Sequence, residues 1–432
     1  MERVVTDSRA VRAGDLFVAL KGPRFDGHEF VAGVLAQGAA AIADRAFAGG
    51  AVIRVANTLQ ALQDLAHAIR KAVATKVIAI TGSAGKTTTK ETIAAFLAGR
   101  FRVVKNQGNL NNHIGLPLSL IQLREEPDVA VMELGMNHAG EISTLVAIAE
   151  PDVRVWTNVG DAHVGFFASP DAIADAKAEI LERAKVDDVL VCNADDGRVM
   201  RRARGFTGRI VTFGESVGAI IRASRIHDLG LEGMRAHIAT PSGDAVITTP
   251  LLGRGNLLNV LAATAVAVEF GVTLEECVAR ARELRAADRR GVVHHLNGGV
   301  TLVDDSYNSS PAALKRSLEV LAHEETRRKI AVLGEMLELG DHALALHDSC
   351  GRAAAATGVE RLITIGGGPA RAMAAAAVAA GMPDQSVRYF EQSGDAAAAV
   401  AADVRDGDIV LVKGSRGIRS DLVVDRILAE RS

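Results

Sequence analysis

The segment Ile80-Thr-Gly-Ser-Ala-Gly-Lys-Thr-Thr-Thr89 constrains the fold more than any other part of the chain. An apolar run, Val77–Ile80, enters it, and a helix-prone run, Thr88–Leu97, leaves it. A strand that turns through glycines into a helix is the frame of a phosphate-binding loop. Gly82 and Gly85 let the backbone wrap close around phosphate oxygens, and the amides of Ser83, Ala84, Lys86, Thr87 and Thr88 with the helix N-terminus supply fixed positive dipoles. Lys86 can reach the β- and γ-phosphates, and the Thr87 hydroxyl can bind Mg²⁺. The widespread signature G-x-x-x-x-G-K-[ST] asks for glycine where Ile80 stands, so this loop is a shorter G-x-x-G-K-T form. The competing reading is a glycine turn with an incidental lysine. Strand, glycines, lysine, threonine run and helix all agree against it. Such a loop establishes phosphate binding, not a reaction.

The surroundings of the loop read as alternating strand and helix. Short apolar runs at Val129–Met132, Val153–Thr157 and Val189–Cys192 are separated by helical stretches, which argues a parallel sheet covered on both faces. Residues 206–250, rich in Gly and Thr, read as an antiparallel insert, and helices at Leu257–Phe270 and Leu274–Arg285 close the unit. From residue 291 the alternation restarts, with strands at Val300–Asp304, Ile330–Leu333, Arg361–Ile365 and Ile409–Val412 and with Pro311 at a helix start. Ahead of the loop, Asp15–Leu20 and Val52–Val55 are strand-like and Leu59–Val73 is helical, with Leu62, Leu65, Ile69 and Val73 near the 3.6-residue period. The expectation is an α/β protein of three domains, 1–75, 76–290 and 291–432. At roughly 150 residues per domain, the 432-residue length agrees.

Composition removes several classes of function. A net charge of −3 and 3% aromatic residues leave little for nucleic-acid binding by bulk charge or by stacking. Cys192, Cys277 and Cys350 are few, odd in number and far apart, which excludes a disulfide framework and suits small core residues in a reducing cytosol. No apolar run reaches the ~18 residues of a membrane span, and MERVVTDSRA lacks the apolar stretch of a secretory signal.

Three residues outside the loop are candidates for chemistry. Glu133 follows the strand Val129–Met132 and His163 follows Val153–Thr157, so both sit near the carboxyl edge that carries the loop. An oxygen ligand and an imidazole there could hold a divalent ion, although a lone histidine is commonly a hydrogen-bonded structural residue. Lys177, in the helical stretch DAKAEIL, reads on composition alone as a solvated lysine.

Several motifs then fit one family. TDSRAVRAGDLFVALKGPRFDGHEFV near the start, TGSAGKTTTKE, NQGNLNNHIGLPLSL (106–120), ELGMNHAGEI (133–142), DDSYNSSP (304–311), VLGEMLELGDHALALH (332–347) and LVKGSRG near the end resemble the Mur ligases. These are ATP-dependent amide-forming enzymes of peptidoglycan synthesis. The resemblance spans nearly the whole chain, and the short loop is the family's own variant. It implies a small α/β N-terminal UDP-sugar domain, a central P-loop ATPase domain with a mainly parallel sheet, and a Rossmann-like C-terminal domain. DDSYNSSP and GEMLELGD are similar to the branch that joins D-alanyl-D-alanine to a UDP-N-acetylmuramoyl-tripeptide. The alternatives are a relative of other specificity, such as a diamino-acid-adding ligase or a folylpolyglutamate synthase, and a P-loop ATPase switch.

By the same resemblance Ser8, Arg9, Asp26, Gly27 and His28 would lie near the UDP-sugar, and Asn259, Arg290, Asp305 and Asn308 near ATP. Thr87, Glu133 and His163 match metal-linked positions for Mg²⁺, and Lys177 matches a lysine that relatives carry as a metal-binding carbamate. With Lys86, His163 and Lys177 form the expected catalytic set. Lys413, Ser415 and Arg416 would lie near the peptide. The chain departs from the family pattern at Gly255, where a histidine is usual, at Arg289, where glycine is usual, and at VGFF after His163, where a glutamate is frequent. Its start close to TDSR implies that the first strand and helix of a typical N-terminal domain are missing. The resemblance further implies a cytoplasmic monomer whose site is completed within one chain, with no nucleic-acid partner and no membrane insertion.

Overall fold

The computed structural model describes residues 2–161, 164–323 and 327–431. Each third of the chain builds its own sheet. Val4–Val5, Leu16–Val18, Ala40–Ala43 and Val52–Arg54 form a four-stranded parallel sheet in chain order. The helix Thr58–Ala72 follows, capped by Asn57, whose carboxamide oxygen accepts the Leu59 and Gln60 amides at 3.0 Å. Its apolar stripe buries Leu62 and Ala66 in a core shared with the middle of the chain.

The central sheet has nine strands. From one edge the order is Gly243–Thr249, Met234–Thr240, Ile221–Asp228, Arg209–Gly214, Val189–Asn193, Val153–Trp156, Lys76–Thr81, Val129–Glu133 and Val103–Lys105. Only the first two pairs are antiparallel. The antiparallel expectation for 206–250 holds for the strands between Ile221 and Thr249 and fails for Arg209–Gly214. Arg209–Gly214 continues the parallel sheet, and the hairpin Met234–Thr249 extends its edge. The physical reason is the pleat: Met234, Ala236, Ile238 and Ile247 point to one face and pack with Leu257, Val260 and Leu261 of the helix Gly253–Glu269. That hydrophobic face holds the hairpin to the sheet.

Lys76–Thr81 lies between Val129–Glu133 and Val153–Trp156, although both come later in the chain. The chain crosses first to one side of this strand and then to the other, so its carboxyl end is a topological switch point, where open α/β sheets bind ligands. Val77, Ile78, Ala79 and Ile80 are fully buried. Full burial of each large apolar side chain among them contributes about 1.5–3 kcal/mol, and this anchors the loop on a rigid strand.

The third sheet has six strands in the order Val292–His295, Thr301–Asp305, Ile409–Lys413, Lys329–Gly334, Arg361–Ile365 and Val387–Phe390. Its first pair is antiparallel and the rest are parallel, with helices on both faces. Asp305 and Lys413 end adjacent strands in register. All three cysteines are buried and unpaired.

Two helices begin earlier than the hydrophobic pattern implies. The loop helix is Lys86–Leu97, because Gly85 takes a left-handed conformation (φ 82°) at its N-cap and lets Lys86 be the first helical residue. The helix Gly253–Glu269 includes a polar first turn ahead of Leu257. Periodicity misses that turn because it faces the cleft described next rather than the core.

Candidate active site

The loop is braced from the next strand. Asn158 accepts the Ala84 amide at 2.9 Å through its side-chain oxygen and donates to the Ala84 carbonyl at 3.0 Å. Its own carbonyl accepts the Ser83 amide, and the Thr157 hydroxyl donates to the Ala84 carbonyl at 2.8 Å. Gly82 is required by space: a Cβ there would lie 1.9 Å from Thr157 Oγ1. Gly85 is required twice, by its φ of 82° and because a Cβ would lie 2.2 Å from Asn259 Oδ1. Thr89 donates to the same Asn259 oxygen at 3.2 Å, so the long helix Gly253–Glu269 touches the back of the loop.

Two lysines converge on one carbonyl. Lys86 Nζ donates to Gly82 O at 2.7 Å and Lys177 Nζ at 3.1 Å. Lys177 is 1% exposed, in the last turn of the helix Pro170–Ala178, where Ile173, Ala174 and Lys177 share the inward face. The solvated reading of Lys177 is thus overturned, because its helix stands against the loop rather than in water. Burial, then the nearby Lys86 charge, drives its pKa well below the ordinary lysine value. Burial also lowers Lys86, reinforced by Arg290 and partly offset by Glu133.

Glu133 ends the neighbouring strand and is 4% exposed. Thr87 donates to its Oε2 at 2.7 Å, and Asn111 donates to its Oε1 at 2.9 Å. Burial pushes this carboxyl up, but Lys86, the two hydrogen bonds and Arg290 outweigh it and hold the pKa below the ordinary glutamate value. Asn106 fixes the same residue by its backbone, accepting the Glu133 amide at 3.0 Å and donating to the Glu133 carbonyl at 3.1 Å. The motif NQGNLNNHIGLPLSL therefore works by holding an ionised carboxylate beside the loop. Thr87 and Glu133 offer hard oxygen donors. A Mg²⁺ ion takes one or two carboxylates together with substrate phosphates, so this pair fits it without a larger protein cage. Among the described residues no cluster of three or more His, Cys, Asp or Glu could hold a metal alone. His163 lies outside the described residues.

The C-terminal sheet closes the site from the other side. Lys413 Nζ donates to Asp305 Oδ2 at 2.6 Å and to the Asn308 carbonyl at 3.2 Å, and Ser317 donates to the same carboxylate at 2.8 Å. The Arg290 and Arg416 guanidiniums lie 4.2 and 5.6 Å from the Tyr307 ring centre. Ser415 Oγ accepts the Leu337 amide at 3.0 Å, and His347, fully buried, accepts the Met336 amide at 2.9 Å. Gly165 donates to the Glu338 carbonyl at 2.9 Å. A Cβ at 165 would lie 2.5 Å from Gly340 N, so the VGFF stretch serves as a backbone contact between the two sheets' units. Arg289 takes a left-handed backbone (φ 56°) and pairs with Asp421 at 2.5 Å and Asp425 at 3.3 Å. Those ion pairs offset the strain of a non-glycine residue there.

One cleft of about 1160 Å³ collects these groups. Ser83–Thr88, Glu133, Asn158, Asn259, Arg290, Asp305, Asn308, Lys413, Ser415 and Arg416 all line it. Lys177 stands behind the loop and is not among the lining residues. Ser8, Arg9, Asp26, Gly27 and His28 also stand apart from the cleft, in the N-terminal unit. There Arg9 pairs with Asp7 at 2.7 Å, and the exposed geometry leaves it free to exchange partners. His28 is 2% exposed, with Nδ1 2.6 Å from Asp26 and Nε2 accepting the Asp44 amide at 3.1 Å, so its ring orders the loop that carries Asp26 and Gly27. Sequence reasoning missed Thr157, Asn158, Asn111 and Tyr307 as site residues. The first two were visible only as the neighbours of His163 in TNVGDAH.

A phosphate loop and a carboxylate on one sheet edge, facing a second α/β unit across a polar cleft, define a nucleotide-dependent enzyme whose site is completed between two lobes. Family models agree: the Mur ligase family catalytic domain matches residues 1–70, the Mur ligase middle domain 80–267, and the Mur ligase glutamate ligase domain 288–416. The chain is 34% identical over 431 residues to a UDP-N-acetylmuramoyl-tripeptide–D-alanyl-D-alanine ligase of Bacillus subtilis, covering 98% of this chain and 93% of the relative. Among solved structures it superposes on MurF from Acinetobacter baumannii with a TM-score of 0.90 at 33% identity, covering 99% of this chain and 93% of that one. MurF ligase from Thermotoga maritima in complex with ADP gives 0.87 at 30% identity, covering 99% and 97%. The chain belongs to the Mur ligase family.

Proposed function

We propose that the chain is an ATP-dependent, ADP-forming ligase that joins D-alanyl-D-alanine to UDP-N-acetylmuramoyl-tripeptide, giving the UDP-linked pentapeptide for peptidoglycan synthesis. The observation that carries this reading is the single cleft in which the loop, Glu133 and the C-terminal residues Asp305, Asn308, Lys413, Ser415 and Arg416 meet. The full-length likeness to ligases of this named activity supports the dipeptide acceptor. A diaminopimelate-adding ligase is similar only at 22% identity with a TM-score of 0.58, which speaks for fold and not for that specificity.

The domain reading is 1–75 for the UDP-sugar, 76–290 for ATP and 291–432 for closure over the nucleotide and peptide. The tripeptide's terminal carboxylate attacks the γ-phosphorus of ATP, forming an acyl phosphate and ADP. Two anions must meet, and positioning carries most of the barrier reduction. Lys86 and the Ser83–Thr88 amides hold the phosphates against that repulsion. Mg²⁺, held by Thr87 and Glu133, supplies charge neutralisation on the phosphates when bound. The neutral amine of the dipeptide then attacks the acyl carbon, and phosphate leaves. Asn259 and Arg290 line the nucleotide side, and Lys413, Ser415 and Arg416 the peptide side. In this reading Asp26, Gly27, His28, Ser8 and Arg9 recognise the UDP-sugar.

Lys177 is suited to a carbamate because burial shifts its amine toward the neutral form, the form that adds CO₂. His163 is assigned to metal from its place after the strand Val153–Thr157 in the sequence and from the resemblance. A site completed within one chain favours a monomer, and ATP with UDP-linked precursors favours the cytoplasm. Among the described residues no helix is long and apolar enough to cross a membrane. The test is phosphate release from ATP with Mg²⁺, with tripeptide and dipeptide added singly and together. Release that needs both, with UDP-pentapeptide by mass spectrometry, is expected. Release with neither substrate would favour a P-loop ATPase instead.

A further inference from the structure

The cleft wall opposite the phosphate loop carries a guanidinium that the reaction above does not use. Arg316 belongs to the helix Pro311–Ala322 of the C-terminal unit and lines the cleft. It faces Gly255, in the polar first turn of the helix Gly253–Glu269. A Cβ built at Gly255 would lie 3.3 Å from Arg316 Nε, 3.4 Å from its Cδ and 3.7 Å from its Cζ, and these are its three nearest atoms. The volume that a larger residue 255 would need is thus filled by one side chain reaching across from the other unit.

Among the described residues no hydrogen bond or ion pair engages this guanidinium. Burial pulls its pKa below the ordinary arginine value, and Glu319, one helical turn on, offsets part of that. A half-buried cation with no partner among the described residues is costly to maintain unless a ligand supplies one.

Position along the helix says which part of a nucleotide reaches it. Asn259 touches the loop itself, and Asn256 receives the Asn259 amide group at 3.0 Å one turn nearer the helix start. Gly255 is one residue further. At ~1.5 Å rise per residue, Gly255 stands about 6 Å along the helix from the phosphate end. Phosphates held by Ser83–Thr88 leave the flat base to extend along this wall, past two carboxamides. A planar guanidinium stacks on an aromatic face, where a cation is favoured over the ring and loses little hydration.

We infer that Arg316, which fills the space beside Gly255, is a nucleotide-binding residue of this chain, stacking on the base of ATP. The inference rests on the reading of the cleft as the ATP site of a ligase.

The experiment compares the wild type with Arg316→Ala, Arg316→Met, Gly255→His and the double variant Arg316→Ala/Gly255→His. It measures KM for ATP, for UDP-tripeptide and for D-alanyl-D-alanine, and ADP affinity by calorimetry. Arg316→Ala and Arg316→Met are expected to raise KM for ATP at least fivefold and weaken ADP in proportion, with kcat and the other two KM values within twofold. Gly255→His alone, crowded by Arg316, should impair ATP as much. The double variant, with a flat ring offered from the other wall, should recover most of the loss. Unchanged ATP and ADP in both Arg316 variants would overturn the inference. So would three KM values rising together with a lowered thermal midpoint, which marks a structural role, or a double variant no better than Arg316→Ala. A wild type that binds no ADP would sink the ATP-site reading and this inference with it, whereas ADP binding that ignores Arg316 sinks the inference alone.

Discussion

Replacing Lys86 with alanine separates catalysis from folding. Among the described residues the Lys86 ammonium has one hydrogen-bond acceptor, the Gly82 carbonyl at 2.7 Å. Lys177 donates to the same oxygen at 3.1 Å, so Lys86→Ala leaves no buried acceptor unsatisfied. The loss is one charge-assisted hydrogen bond, about 1.5–3 kcal/mol, and removal of a desolvated charge offsets part of it. The thermal midpoint should therefore move by only a few degrees. Activity should respond quite differently. A preorganised donor aimed at developing charge contributes about 2.7–4 kcal/mol to the transition state, a hundred- to a thousand-fold in rate. Glu133 also loses the cation that most lowers its pKa, which weakens the oxygen site beside Thr87. The assay is phosphate release with both acceptor and donor substrates present, alongside a thermal melt. A folded Lys86→Ala protein that keeps more than about a tenth of the wild-type rate would refute the assignment of this loop.

Three further outcomes follow from particular contacts. Gly85→Ala places a Cβ 2.2 Å from Asn259 Oδ1 on a backbone with φ of 82°, a conformation that costs an L-residue about 1–2 kcal/mol; ADP affinity by calorimetry should fall at least tenfold, and unchanged affinity would contradict the loop geometry. Burial lowers the Lys177 pKa and so favours the neutral amine that adds CO₂; stripping CO₂ and bicarbonate should slow turnover severalfold and bicarbonate should restore it, whereas equal rates with an unmodified lysine in a crystal structure would reject the carbamate. Arg154, 1% exposed, donates to Asp188 at 2.7 Å and to the Ile180 and Pro151 carbonyls at 2.8 Å. Arg154→Ala leaves that carboxylate buried and unpaired, so chemical denaturation should show a loss of about 3–5 kcal/mol, and a loss under 1 kcal/mol would mean water reaches the pair.

The parts of this molecule that were legible in sequence are those written locally. The loop announces itself because glycines, lysine and threonines must be contiguous to wrap a phosphate. The strands Lys76–Thr81, Val129–Glu133 and Ile409–Lys413 read easily because strands buried on both faces are nearly uninterrupted apolar runs. What was not legible depends on partners far away in the chain. Asn158 braces Ala84 from 74 residues downstream, and nothing in its own neighbourhood reports that. Lys177 sits on a helix whose composition suits water, and only the packing of that helix against the loop buries it. The hairpin Met234–Thr249 carries the turn-rich composition of an insert, yet its inward residues find the long central helix. At Gly255 the sequence shows only a departure from the family pattern, and the fold shows Arg316 filling the space beside it.

The central claim is that the tripeptide carboxylate is phosphorylated before the amide forms. It is tested most directly with tripeptide labelled with oxygen-18 in its terminal carboxylate, turned over with ATP, Mg²⁺ and D-alanyl-D-alanine. The account predicts inorganic phosphate carrying one labelled oxygen per amide bond made. Unlabelled phosphate accompanying the same amount of UDP-pentapeptide would contradict it.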